Sequence, residues 1–83
     1  MARNSKNSFE NRDRFLELGL NIAYYRRKAG LKQEQLAEKA DISRSFLGEI
    51  EAPNIVKSMS LEVLFRIADA LDMPASKLLE FRD

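Results

Sequence analysis

AGLKQEQLAEKADISRSFLGEIE, residues 29–51, decides how the rest of the chain is read. It holds two short apolar-periodic segments separated by three or so residues. QEQLAEKA, Gln33 to Ala40, carries Leu36, Ala37 and Ala40 on a narrow apolar face, with Glu34, Gln35, Glu38 and Lys39 on a solvated one. The spacing predicts a helix whose small Ala37 lets a neighbour cross closely. Asp41 interrupts the period. Ser43 then fits an N-cap, with Ile42 before it and Leu47 after it in the two positions of a hydrophobic staple. A second helix is expected from Arg44 to Ala52, stopped by Pro53 and Asn54. On its wheel Leu47, Ile50 and Glu51 point inward, while Arg44, Ser45, Gly48, Glu49 and Ala52 share the opposite side. A glycine inside a helix costs ~1 kcal/mol relative to alanine, so Gly48 on that outward side needs an explanation.

Outward from this pair the chain stays helical. Phe15, Leu18, Ile22, Tyr25 and Ala29 recur at spacings of three and four, which predicts an amphipathic helix over 12–29. Gly30 suits a left-handed helix end, with Leu31 folding back on the last turn and Arg26, Arg27 and Lys28 complementing the dipole. Downstream, Ser60 is a second cap, with Met59 and Leu64 as a second staple. Leu61, Leu64, Ile67, Ala68 and Leu71 are expected to form the buried stripe of the fourth helix. Pro74 fits the first position of a short fifth helix, ASKLLEF, ending near Phe81. Residues 1–11 are polar, without apolar period, and read as a flexible N-terminal arm; residues 12–83 form one domain. Five helices and no strand signal make a compact all-α fold.

Composition narrows the function. With 45% hydrophobic and 33% charged residues, the 83-residue chain has the make-up of a folded domain. It contains no cysteine and no histidine. Disulfides and Cys/His zinc sites are thereby excluded, a reducing cytoplasm is expected, and the commonest general base and thiol nucleophile are missing. Glu34 and Glu38 lie one helical turn apart, but as a solvated pair rather than a catalytic one, so no enzyme, metal or cofactor is expected. No apolar run approaches the ~20 residues that span a bilayer, and MARNSKNSFENRDR has no apolar segment of the kind a secretory signal needs. Net charge is +1, unevenly spread: residues 1–59 hold 11 Lys/Arg and 8 Asp/Glu, residues 60–83 hold 3 and 5.

Two short helices joined by a tight turn are the helix-turn-helix arrangement, in which the second helix enters the major groove of DNA. Residues 29–51 also resemble the phage repressor/Cro-type (XRE-like) helix-turn-helix family of transcriptional regulators. SLEVLFRIADALDMPASKLL, residues 60–79, resembles that family's fourth and fifth helices. The resemblance runs from about Ile22 to Leu79. It implies a five-helix lambda-repressor-like domain and a sequence-specific DNA-binding regulator, a repressor by expectation; because a domain this small contacts few base pairs, a homodimer on a palindromic operator is expected. It also implies a cytoplasmic, nucleoid-associated location.

At residue level the resemblance places Arg44, Ser45 and Glu49 at the positions that read bases, with Gly48 between them, where a missing side chain permits close approach. Chemistry agrees for Arg44, which can give guanine O6 and N7 two hydrogen bonds, and Glu49 can accept from a cytosine amino group. Gln33 matches a family glutamine that contacts phosphate, aided by the helix N-terminus. Lys32, Ser43, Asn54, Lys57 and Ser58 are further phosphate candidates. The family joins an arginine late in helix one to a glutamate ending the reading helix. Those positions are Arg26 and Glu51, expected as a structural salt bridge. The chain departs from the family at Asp41, where glycine is common, and at Ala52-Pro53, where Asn-Gly is common. It also has Lys32 where a Ser or Thr cap is frequent. Helix five offers Leu78, Leu79 and Phe81 either to the core or to a dimer surface. The alternative function is a protein-interaction module, an antitoxin or anti-repressor partner on the same fold, which the near-neutral charge and Glu49 would suit.

Overall fold

Local capping chemistry sets the element boundaries. The structure, a computed structural model, describes residues 11–81, and the arm expected over 1–11 lies outside these except for Asn11. Five helices follow in order: α1 Arg12–Lys28, α2 Gln33–Ala40, α3 Arg44–Glu51, α4 Leu61–Ala70 and α5 Ala75–Leu78. The remaining described residues are turns and irregular backbone, so the fold is all-α. Asn11 is the N-cap residue of α1, where its carbonyl accepts from Phe15 N–H at 3.0 Å and its side-chain oxygen from Arg14 at 2.7 Å. Ser43 Oγ accepts from Phe46 N–H at 3.0 Å, and Ser60 Oγ from Val63 N–H at 3.2 Å. At α2 the cap residue is Lys32, whose side chain cannot accept. Gln35 compensates in part, its Oε1 accepting from Lys32 N–H at 2.8 Å.

Three helices end the same way. Gly30, Asp41 and Asp72 adopt left-handed φ of 76°, 58° and 57°. The next residues, Leu31, Ile42 and Met73, return their N–H groups to the carbonyls of Arg26, Ala37 and Ala68 at 3.1, 3.0 and 3.0 Å. The inner bonds, Gly30 to Arg27, Asp41 to Glu38 and Asp72 to Asp69, complete the Schellman pattern. In each case the returning residue is apolar and packs on the core. Aspartate thus does at two turns what glycine does at the first, because its short polar side chain tolerates this region.

The core gathers Leu18 and Ile22 from α1, Leu36, Ala37 and Ala40 from α2, Leu47 and Ile50 from α3, Leu64, Ile67 and Ala68 from α4, and Leu78 from α5. α2 packs on α3 and α4, α1 on α3 and α5, and α4 on α5. Gly19 marks a close crossing: a Cβ there would overlap the Ile50 carbonyl oxygen, so α1 can lie against the C-terminal half of α3 only where α1 has no side chain.

Several expectations need correcting. Leu61 is 66% exposed rather than in the buried stripe, because it is the first residue of α4 and the stripe begins one turn later at Leu64. Ala29 is exposed; α1 ends at Lys28, and the apolar contact passes to Leu31. Ala52 is outside α3, extended at ψ 128°, as the residue before a proline must be to avoid its ring. Pro74 is the N-cap of α5 rather than its first helical residue. α5 stops at Leu78, short of Phe81. Asn21 of α1 accounts for this, its Nδ2 donating to the carbonyls of Leu78 at 2.9 Å and Glu80 at 3.1 Å. Leu78 is fully buried and therefore unavailable to a dimer surface.

Candidate nucleic-acid interface

α3 is fixed on its inner face and open on its outer one. Leu47 and Ile50 fill the core. Glu51, the last helical residue, is a buried carboxylate at 7% exposure, facing Arg26 of α1 at 8%. Arg26 Nε donates to Glu51 Oε2 at 2.8 Å and Arg26 Nη2 to Glu51 Oε1 at 2.9 Å, a two-pronged pair that fixes both distance and rotation. Arg26 Nη1 donates to the Leu31 carbonyl at 2.8 Å, and Gln33 Nε2 adds a further bond to Glu51 Oε1 at 2.9 Å. The C-terminus of α3 is thus held by α1, by the turn after it and by the first residue of α2. No buried side-chain nitrogen or oxygen among the described residues lacks a partner. At the other end Ser43 caps α3, and the Ile42–Leu47 staple seats the entering chain.

The outward face carries Arg44, Ser45 and Glu49, all exposed, with Gly48 half-buried between them. Arg44 takes part in none of the ion pairs among the described residues. It borders an open cleft together with Arg26, Lys32, Gln33 and Glu34 at the N-terminus of α2. The structure therefore brings Arg44 beside two of the residues expected at phosphate, Lys32 and Gln33. Gln33 is partly committed: one amide N–H is spent on Glu51, leaving its other N–H and its carbonyl oxygen. Ser43 is exposed but already serves as the cap. Asn54 and Ser58 are exposed in the segment between α3 and α4. Lys57 of that segment turns back onto α3, its Nζ 3.2 Å from Glu49 Oε1 and 5.6 Å from the centre of the Phe46 ring. Glu49 is thus ion-paired rather than isolated.

A Cβ added at Gly48 would meet Gln33 Oε1 at 3.9 Å, ordinary van der Waals contact. Among the described residues nothing requires glycine there, in contrast to Gly19. Sequence reasoning missed Gly19, the Gln33–Glu51 bond, the Asn21 clamp and the Lys57–Glu49 pair. A glycine in the middle of an otherwise regular helix was the one available signal, for Gly19. Among the described residues no group of acidic residues is arranged to hold a metal ion, and no helix is long and apolar enough to cross a membrane.

A helix anchored by a buried ion pair, preceded by a tight left-handed turn and a supporting helix of equal length, defines a helix-turn-helix domain. Comparison with known proteins agrees: residues 22–78 match the family model described as helix-turn-helix, and the chain belongs to that family. The resemblance to repressor/Cro-type regulators is thereby established. The transcriptional regulator SinR of Bacillus licheniformis is 33% identical over 66 residues, a match covering 80% of this chain and 59% of SinR. The chain thus corresponds to little more than half of that relative. The control protein C.SmaI of Serratia marcescens is 36% identical over 62 residues, covering 75% of this chain and 71% of C.SmaI. Among solved structures, the restriction-modification controller protein C.AhdI from Aeromonas hydrophila superposes with a TM-score of 0.72 at 30% identity. That match covers 77% of this chain and 94% of C.AhdI.

Proposed function

We propose that the protein is a sequence-specific DNA-binding transcriptional regulator that places α3 in the major groove and acts as a repressor. The observation that carries this reading is the contrast between the two faces of α3. One is locked by the Arg26–Glu51 pair, and the other presents Arg44 exposed and outside any ion pair among the described residues. A rigid scaffold behind an open polar face is what base reading requires, since side chains must meet base edges in fixed register. Arg44, Ser45 and Glu49 read bases, Gly48 lets the backbone approach, and Lys32, Gln33, Ser43, Asn54 and Ser58 contact phosphate. The regulators and controller proteins it resembles support this assignment. It requires no catalysed reaction, metal or cofactor. A protein with this role works in the cytoplasm, at the nucleoid.

The active form is a homodimer on a palindromic site with half-sites about one helical turn, ~34 Å, apart. Its interface is centred on α4, where Leu61 and Phe65, one turn apart, are exposed; at the end of α5 Leu78 is buried and, of the apolar residues there, Leu79 alone is exposed. Ile55 and Val56, in the segment leading to α4, are exposed as well. Selecting bound sequences from random duplex DNA tests both statements. An enriched palindrome is expected; an enriched sequence without symmetry would overturn the dimer. No enrichment, together with a stable complex with another protein, would replace the reading by that of an interaction module.

A further inference from the structure

Base reading does not explain why a cation from outside α3 lies across its outward face. Phe46 and Glu49 are three residues apart and so share one edge of the helix. Lys57 spans both, ion-paired to the carboxylate at 3.2 Å and within cation–π distance of the ring at 5.6 Å. The two side chains are 39% and 47% exposed, so the pair is solvated and contributes little to stability. Its consequence therefore lies in what α3 presents.

A carboxylate approaching a duplex meets one phosphate charge per ~1.7 Å of helix axis. Alone, Glu49 would be repelled from every sequence alike. Held against an ammonium group it is locally neutral, and its side chain, 47% exposed, stays open to further donors. An ionised carboxylate can only accept hydrogen bonds. In the major groove the donors are the cytosine N4 and adenine N6 amino groups, whereas guanine offers acceptors. A carboxylate held in place thus favours one kind of base edge and opposes the other. Resting on the DNA-binding assignment above, we propose that Lys57 is a positioning residue for specificity. It holds Glu49 as a base-discriminating carboxylate, so that the pair sets the preference at one base pair of each half-site, and Lys57 is not a phosphate contact.

The test is parallel selection from random duplex DNA with the unaltered protein, Glu49→Gln, Lys57→Gln and Lys57→Arg. It is followed by titration of each against the selected duplex and a scrambled one over a range of salt. Glu49→Gln and Lys57→Gln are expected to flatten the preference at the same base pair, by a factor on the order of 5 or more, and to leave other positions unchanged. Lys57→Arg is expected to retain it. The pairing is overturned if Lys57→Gln weakens both duplexes equally, keeps every base preference, and lowers the salt slope by about 0.9 per copy, the signature of a lost phosphate contact. It is equally overturned if Glu49→Gln flattens a position and Lys57→Gln does not. Failure of the unaltered protein to enrich any sequence would instead overturn the DNA-binding assignment, and the pairing with it.

Discussion

Gly48→Ala separates what the fold needs from what the outward face of α3 needs. Gly48 lies inside α3, and its backbone is not left-handed. Among the described residues a methyl group there meets only Gln33 Oε1, at 3.9 Å, so it enters without displacing any of them. Alanine then removes most of the helix penalty of glycine, and the domain should gain about 0.5–1 kcal/mol. For a domain of this size 1 kcal/mol corresponds to roughly 4–8 °C in Tm, so an upward shift of several degrees is expected in thermal unfolding followed by circular dichroism. Binding should move the other way. If α3 lies tightly in the groove at Gly48, the methyl is an overpacking change at a packed surface, which costs about 1–3 kcal/mol. At RT of 0.59 kcal/mol that is a loss on the order of 5- to 150-fold in affinity for the selected duplex, readable by fluorescence anisotropy. A lowered Tm would refute the local geometry. A raised Tm with undiminished affinity would refute the close approach, and with it the orientation of α3 on DNA.

Gly19→Ala should do the opposite to the fold. Its Cβ would collide with the Ile50 carbonyl of a backbone that cannot rotate away, so α1 and α3 must separate. A loss of several kcal/mol in urea unfolding is expected, toward the exceptional end of single substitutions; a change under 0.5 kcal/mol would contradict the crossing. Glu51→Leu leaves the buried Arg26 without its carboxylate and should cost about 3–5 kcal/mol, whereas Arg26→Met combined with Glu51→Leu should recover a large part of that loss. Equilibrium unfolding of both single variants and the double variant gives the coupling, and strict additivity would show that the pair does not lock α3.

What could be read from the sequence was what the chain decides locally. Ser43 and Ser60 cap helices through bonds to residues three positions on, and Gly30 and Asp41 turn the chain through their own φ, so the residues concerned are neighbours in sequence. The Arg26–Glu51 geometry spans 25 positions and was legible only through family resemblance. Periodicity alone misplaced Leu61, because a helical wheel says which side a residue takes but not whether a neighbouring helix reaches that far along. The short α5 and the Lys57–Glu49 pair depend on contacts across the fold. Asn21 reaches carbonyls 57 and 59 residues away, and Lys57 returns along an irregular segment with no periodicity to reveal its direction. Gly19 carried a signal, a glycine where a helix gains nothing from one, but only the position of Ile50 gives it a reason.

The central claim, that the exposed face of α3 reads DNA bases, is tested most directly at Arg44, the exposed cation of that face that no intramolecular ion pair holds among the described residues. The measurement is the affinity of Arg44→Ala, relative to the unaltered protein, for the selected duplex and for a scrambled duplex at one salt concentration. Loss of a two-pronged arginine–guanine contact should cost about 1–3 kcal/mol on the selected duplex, much less on the scrambled one, and relax the preference at one position of each half-site. Equal loss on both duplexes would make Arg44 a phosphate contact, and no loss on either would mean that α3 is not the reading helix.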